Sequence, residues 1–245
     1  MKFSMKKEEK YINIKPNKQD IEEILIWLKD EYNDSGIGFY NNKNIIEQSF
    51  EDGNSIVFKY KKKTIGLVVW NKHDKIRADI DIFVIHPDYR RRGFGHFYYS
   101  EILKYFRCKG LKAIKLFCSP PSSEPFWQKM GLIKLPDCGR TEHKLTYYMI
   151  LVDKASTNPI YTTDTIELWD VEPYEVKGQV PKWTWYVEIK NGILLYPIIH
   201  PYNCNWNLHW SRNGKVIREE KVKYFASNDS ELYFYPFIYI DGLKE

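Results

Sequence analysis

Cysteine and histidine are scarce in this chain, and long apolar runs are absent. The 245 residues hold four cysteines, Cys108, Cys118, Cys138 and Cys204, with no CxxC among them. That spacing offers neither a zinc ribbon nor a disulfide framework. Cys118 sits in an apolar stretch and reads as a small buried core residue. Neither His86 nor His96 has a histidine partner at metal-ligand spacing, so no metal site is expected. No stretch approaches the roughly 20 apolar residues that a bilayer span needs. The N-terminus carries Lys2, Lys6, Lys7, Glu8, Glu9 and Lys10 with no apolar run behind it, so no signal peptide is expected. The net charge of +5 is mild. Nucleic acid is therefore not the favoured partner, and Lys59 with Lys61–Lys63 reads as a protected strand edge. A reducing, cytoplasmic setting and no membrane partner are the expectation.

What the chain does hold is an ordinary apolar fraction of 43% and a high aromatic fraction of 16%. The length suits one large or two small domains. Tyr11 to Lys15 reads as a strand stopped by Pro16. Ile21, Ile24, Leu25 and Leu28 stand at helical spacing in Asp20 to Tyr32, and Gly36 stops that helix. Asn44 to Phe50 suggests a second helix. Ser55 to Tyr60 and Thr64 to Trp70 suggest a hairpin over the lysine turn. Ile76 to Ile85 is a fourth strand, His96 to Lys109 a helix with Gly110 beyond its end, and Ile114 to Cys118 a strand. Leu145 to Val152 closes the series.

The stretch Val84 to Gly95 reads VIHPDYRRRGFG. A strand that runs through a glycine turn into a helix aims several backbone N–H groups at one point. The positive end of the helix dipole faces the same point, which suits phosphate. Arg90, Arg91 and Arg92 add charge there, and Gly93 and Gly95 let backbone approach an anion without a Cβ in the way.

Arg90-x-x-Gly93-x-Gly95 after a strand and a His-Pro turn resembles the acetyl-coenzyme-A signature of the GNAT N-acetyltransferases. Phe126-Trp-Gln-Lys-Met-Gly131-Leu132 resembles the helix-and-glycine element that closes the site in that family. The resemblance covers about residues 8 to 152. It implies an α/β (α+β) fold, a mixed central sheet flanked by helices, and acetyl-CoA as co-substrate with an amine acceptor. It further implies that main-chain groups of Phe83, Val84 and Ile85 hold the pantetheine, and that amides from Arg91 through Phe94 to His96 cradle the pyrophosphate. Asp79 falls where histone-type members carry a glutamate base. Asp79 and Asp81 are expected on one face with Phe83 and Ile85, by strand alternation. Trp127 stands where many members have a tyrosine acid; Trp N–H cannot supply a mobile proton, so Tyr147 or Tyr148 is the substitute, or the thiolate leaves unprotonated. Trp127 is then expected to pack on cofactor or core. An asparagine usual before this helix is missing, and Ser122 or Ser123 either replaces that contact or caps the helix at Pro125.

Beyond the linker 153–164, residues 165–245 change character. Trp183, Trp185, Val187 and Ile189 alternate with other residues, and Asn191-Gly192 and Asn213-Gly214 are type I′ hairpin signals. A smaller all-β domain, sandwich or open barrel, is expected. Its tryptophans read first as core and second as a platform for a substrate or partner. The expected function is N-acetyl transfer to a small metabolite or protein by direct attack in a ternary complex. The alternatives are another acyl-CoA transferase, including one acting on aminoacyl-tRNA, or a non-catalytic coenzyme-A-binding module. A homodimer stays open.

Overall fold

The computed structural model describes residues 10–139, 144–158, 162–225, 233–234 and 236–243. The chain divides into two compact units, Met1–Ile133 with Tyr147–Leu151, and Lys134–Thr146 with Val152–Glu245.

The first unit is built on a sheet of order β1-β2-β3-β4-β5-β7-β6. Its strands are β1 (Lys10–Asn13), β2 (Ser55–Tyr60), β3 (Lys63–Lys72), β4 (Arg77–Ile85), β5 (Ala113–Phe117), β6 (Ile133–Lys134) and β7 (Thr146–Ile150). β1 to β4 are antiparallel neighbours, and β4 pairs with β5 in parallel. The hairpin between β2 and β3 turns on Lys61 and Lys62, both at positive φ. This pair of left-handed residues matches the right-handed strand twist as a type I′ turn does. The helices are α1 (Lys18–Ser35), α2 (Lys43–Glu51), α3 (Phe94–Cys108) and α4 (Glu124–Lys129). Asn17 and Asp20 form a capping box on α1, and Gly36 at φ 68° ends it. Ile21, Ile24 and Leu28 bury against Val57, Leu67, Val69, Ile82 and Val84 on one face of the sheet. On the other face, Tyr98 stacks on Phe58 and Phe83, and Trp70 packs on Tyr105 and Phe106.

The second unit holds two four-stranded sheets. One has the order β10-β11-β15-β14 and the other β13-β12-β8-β9. The strands are β8 (Asp164–Trp169), β9 (Trp183–Val187), β10 (Ile189–Lys190), β11 (Ile193–Pro201), β12 (Asn207–Arg212), β13 (Lys215–Lys221), β14 (Tyr233–Phe234) and β15 (Phe237–Gly242). Ile166, Leu168, Trp185 and Trp210 from one sheet share a core with Ile198, Ile238 and Ile240 from the other. This is a sandwich. The buried indole of Trp210 donates to Asp164 at 2.8 Å, and Arg212 donates to the same carboxylate at 3.0 Å. Both Asn-Gly turns have positive φ at each residue. The first joins β10 to β11 and not β9 to β11, since β9 lies in the other sheet. Val222–Phe225 is a helical turn, α5. Part of the expected linker is structured with this unit: Ala155 is buried in its core, and Ser156 bridges to Tyr186.

Candidate active site

The site begins where two strands part. β4 and β5 pair from Arg77↔Ala113 to Ile80↔Leu116, and the pairing stops there. An antiparallel strand directs only alternate backbone groups at its partner. Beyond Ile80, the groups of β4 that face away from β3 therefore point into a wedge. A cavity of about 520 Å³ fills it, lined by Asp81, Phe83, Val84 and Ile85 from β4 and by Phe117, Ser119 and Pro120 after β5.

A bulge aims the carboxylate. Val69 opposes Ile82, yet Trp70 opposes Ile80, so Asp81 is the extra residue on β4. A bulge bends its strand and re-aims a side chain. Here it breaks the alternation on which the shared face of Asp79, Asp81, Phe83 and Ile85 rested. Asp79 lies opposite Asn71, two residues beyond core-facing Val69, on the side of α1 and α2. Phe83 lies on the other side, against Tyr98 and Trp127. Asp79 does not line the cavity. It is held at 2.8 Å from buried Arg77, with Lys115 at 3.7 Å. Burial raises its pKa, against the lowering effect of these cations. Asp81 does line the cavity, and the Asn71 amide donates to it. Its pKa is also raised, first by partial burial and then by the charge of Asp79, with the Asn71 bond opposing.

The far end of the cavity is the start of α3. Gly93, at φ 81°, is its N-cap, and no side chain caps the helix. Its first N–H groups are thus unclaimed by a side chain, and Arg91, Gly93, Gly95 and His96 line the cavity there. Phe94 is buried and Arg92 faces outward over Tyr89 and Phe94, so neither side chain lines it.

Arg90 lines the cavity without being free to bind an anion. Its guanidinium makes two bonds to Glu31 of α1, at 2.6 and 2.8 Å, and Nε donates to the Ile85 carbonyl at 2.7 Å. The first arginine of the triplet is therefore a strap from the glycine turn to α1. His86 is half-buried beside Trp27 at 5.2 Å, and burial lowers its pKa.

Trp127 is buried, lines the cavity, and meets Phe83 edge-on at 5.2 Å. Tyr147 is buried outside the cavity lining. Its hydroxyl donates to Glu124 and accepts from Gln128 at 3.1 Å, and the Glu124 bond raises its pKa. Ser122 is exposed and lies off the cavity wall, whereas Ser119 and Ser123 line it. Ser123 does not cap α4, because its hydroxyl donates back to the Pro120 carbonyl at 2.8 Å. Cys118 is buried, and its thiol is pushed up to about 11, mainly by that burial. Glu31, Ile37, Phe39, Asn71 and Phe117 are site residues that no local pattern revealed; Glu31, for one, lies 59 positions from the arginine it holds. Among the described residues no group of side chains has the make-up of a metal site, and no helix is long and apolar enough to cross a membrane.

Residues 21–132 match the family model "Acetyltransferase (GNAT) family". Among curated proteins none matches. Among solved structures the chain is similar to Ard1 from Thermoplasma volcanium, with 18% identity over 59% of this chain and 99% of that one, TM-score 0.46. It is similar to the PaiA N-acetyltransferase of Thermoplasma acidophilum, solved in complex with coenzyme A, with 15% identity over 58% and 98%, TM-score 0.45. It is also similar to N-acetylglutamate synthase of Neisseria gonorrhoeae, with 13% identity over 60% and 36%, TM-score 0.48. Over residues 21–132, then, the chain carries an acetyltransferase domain of the GNAT family.

Proposed function

We propose that this chain transfers an acetyl group from acetyl-CoA to an amine by direct attack in a ternary complex. The observation that carries the reading is the wedge between β4 and β5, which opens at Ile80 and ends on the uncapped N-terminus of α3. The backbone groups of β4 that face away from β3, those of Phe83 and the Ile85 N–H, suit the amides of a pantetheine chain, while the Ile85 carbonyl is held by Arg90. Arg91, Gly93, Gly95 and His96 suit a pyrophosphate.

Attack requires a neutral amine. Of the two carboxylates on the cavity wall, Glu31 is held by Arg90, and Asp81 has a raised pKa that moves it toward the range of a useful base. In this reading it takes the role that the family resemblance implied for Asp79. The amine nitrogen bonds to the thioester carbon as its proton passes to Asp81, and a β4 backbone N–H meets the oxygen that gains charge. The carbon–sulfur bond then breaks and the sulfur leaves as thiolate, which its ordinary pKa of about 8.5 tolerates. Tyr147 is committed to Glu124, which argues against it as the acid. Cys118 is held protonated and off the cavity wall, which argues against an acetyl-cysteine intermediate.

One observation favours a second reading. Among the described residues no tyrosine lines the cavity, and Trp127 fills the corresponding wall. A module that binds coenzyme A without catalysis would look the same. Calorimetric titration with acetyl-CoA, beside Gly95→Glu, tests the first reading: micromolar binding that the variant loses supports it, and no binding by the unaltered chain sinks it. Binding without turnover across an amine panel would favour the second.

A further inference from the structure

The cavity reaches both faces of the sheet, and the faces differ in charge. Toward α3 and α4, its walls carry Arg91 and the positive end of α3. Toward α1 and α2, the charged lining residues are Glu31 and Arg90, which cancel each other, and Asp81. Asp81 reaches that side through Asn71, which also lines a hollow beside α2 with Asn44 and Gln48. Among the described residues the side-chain partner of Asp81 is this neutral amide, not a cation at contact distance. Asp79, its neighbour, already has Arg77 and Lys115.

The remaining wall on this side is apolar. Ile37 and Phe39 stand in the α1–α2 connection, and Ile37 is 66% exposed, one of the most exposed large apolar side chains in the first unit. Covering such a side chain takes apolar surface out of water and is favourable. Gly38, at φ 131°, sits between them with Glu31 beside it, so the strap that fixes Arg90 also fixes this wall.

Resting on the proposed transferase reading, we propose that the acceptor is a small monocationic amine on an apolar body, with Asp81 receiving the ammonium and Ile37 and Phe39 covering the body. A carboxylate on the acceptor would face Asp81, whose contact partner is a neutral amide and not a cation. A long polycation would leave Ile37 and Phe39 uncovered.

Three amines separate these cases: 2-phenylethylamine, phenylalanine, which adds a carboxylate to the same body, and spermidine. Each is given with acetyl-CoA to the full chain while thiol release is followed. The expected result is turnover of phenylethylamine with kcat/KM about tenfold or more above either rival, equivalent to about 1.4 kcal/mol. Ile37→Ser, at an exposed position, and Phe39→Ala should raise KM for phenylethylamine and leave the Kd for acetyl-CoA unchanged. Asp81→Asn should lower kcat/KM by about 10²-fold or more, the scale of a lost general base. Preference for phenylalanine or spermidine overturns the proposal, as does a chain that binds acetyl-CoA and turns over none of the three. Failure to bind acetyl-CoA at all would instead remove the transferase reading, and this one with it.

Discussion

Gly93 and Gly95 stand two residues apart in one motif, yet the structure gives them different work. Gly93 holds φ 81°, and a Cβ built there meets no atom within 4 Å. Its substitution therefore costs conformation and not space. A left-handed residue with a Cβ costs about 1–2 kcal/mol. Loss of glycine's freedom in the unfolded chain returns about 0.4–1 kcal/mol. Gly93→Ala should thus lose about 1 kcal/mol, a fall of about 2–4 °C in Tm for a chain of this size. Gly93→Asn should lose less, because asparagine visits this region more readily, and Gly93→Val should lose most. Gly95 is inside the helix without positive φ, and its Cβ would meet Phe126 Cε2 at 3.4 Å, an ordinary contact. Gly95→Ala should keep or raise Tm, since alanine is the better helix former by up to about 1 kcal/mol. It should instead weaken acetyl-CoA binding, because the new methyl group stands on the cavity wall. Differential scanning calorimetry and acetyl-CoA titration on the four variants give the two readouts. A Gly93→Val variant as stable as the unaltered chain, or a Gly95→Ala variant that loses stability and keeps its binding, would refute the reasoning.

Asp79→Asn should cost about 1–3 kcal/mol in denaturant unfolding, because it strips the buried Arg77 of its nearer charged partner and leaves Asp74 at 3.9 Å; a variant of unchanged stability with kcat cut about 10²-fold would return the base to Asp79. Tyr147→Phe should lower stability by the loss of its bond to Glu124 and leave kcat and its pH profile alone; a lower kcat together with loss of the alkaline limb would make Tyr147 the acid after all. His200 on β11 lies against Trp183 and Trp185, and burial, aided by Lys154 and Lys182, lowers its pKa to about 3. The unfolded histidine takes its proton near pH 6.5 and the folded one does not, so the unfolded state binds more protons between those values. Stability is then full above pH 6.5 and falls below it, by at most about 1.4 kcal/mol per pH unit. Unfolding at pH 7 and pH 5 should show this loss in the unaltered chain and a smaller one in His200→Phe, where the depressed pKa of His86 still contributes; equal losses would mean that His200 titrates normally when folded.

Local chemistry made most of the fold legible. Helix ends followed from Gly36 and Gly110, and the hairpins of the second unit from Asn-Gly pairs, because each needs a left-handed residue that few side chains accept. The lysine hairpin was legible by its flanking strands and not by its turn, since Lys61 and Lys62 adopt positive φ against their own preference. The glycine cradle was legible for the same reason as the helix ends. The carboxylate was not. Alternation is a rule for an unbroken ladder, and the extra residue at Asp81 inverts every inference carried across it from Phe83 to Asp79. Nothing in Ala78-Asp79-Ile80-Asp81-Ile82 marks which residue bulges, because the bulge is set by β3 on one side and by the departure of β5 on the other. Arg90 failed for a related reason. A phosphate and a carboxylate are the same partner to a guanidinium, and sequence cannot say whether α1 brings Glu31 there first. What decides both positions is which distant strand or helix arrives, and that is information held by the fold and not by the motif.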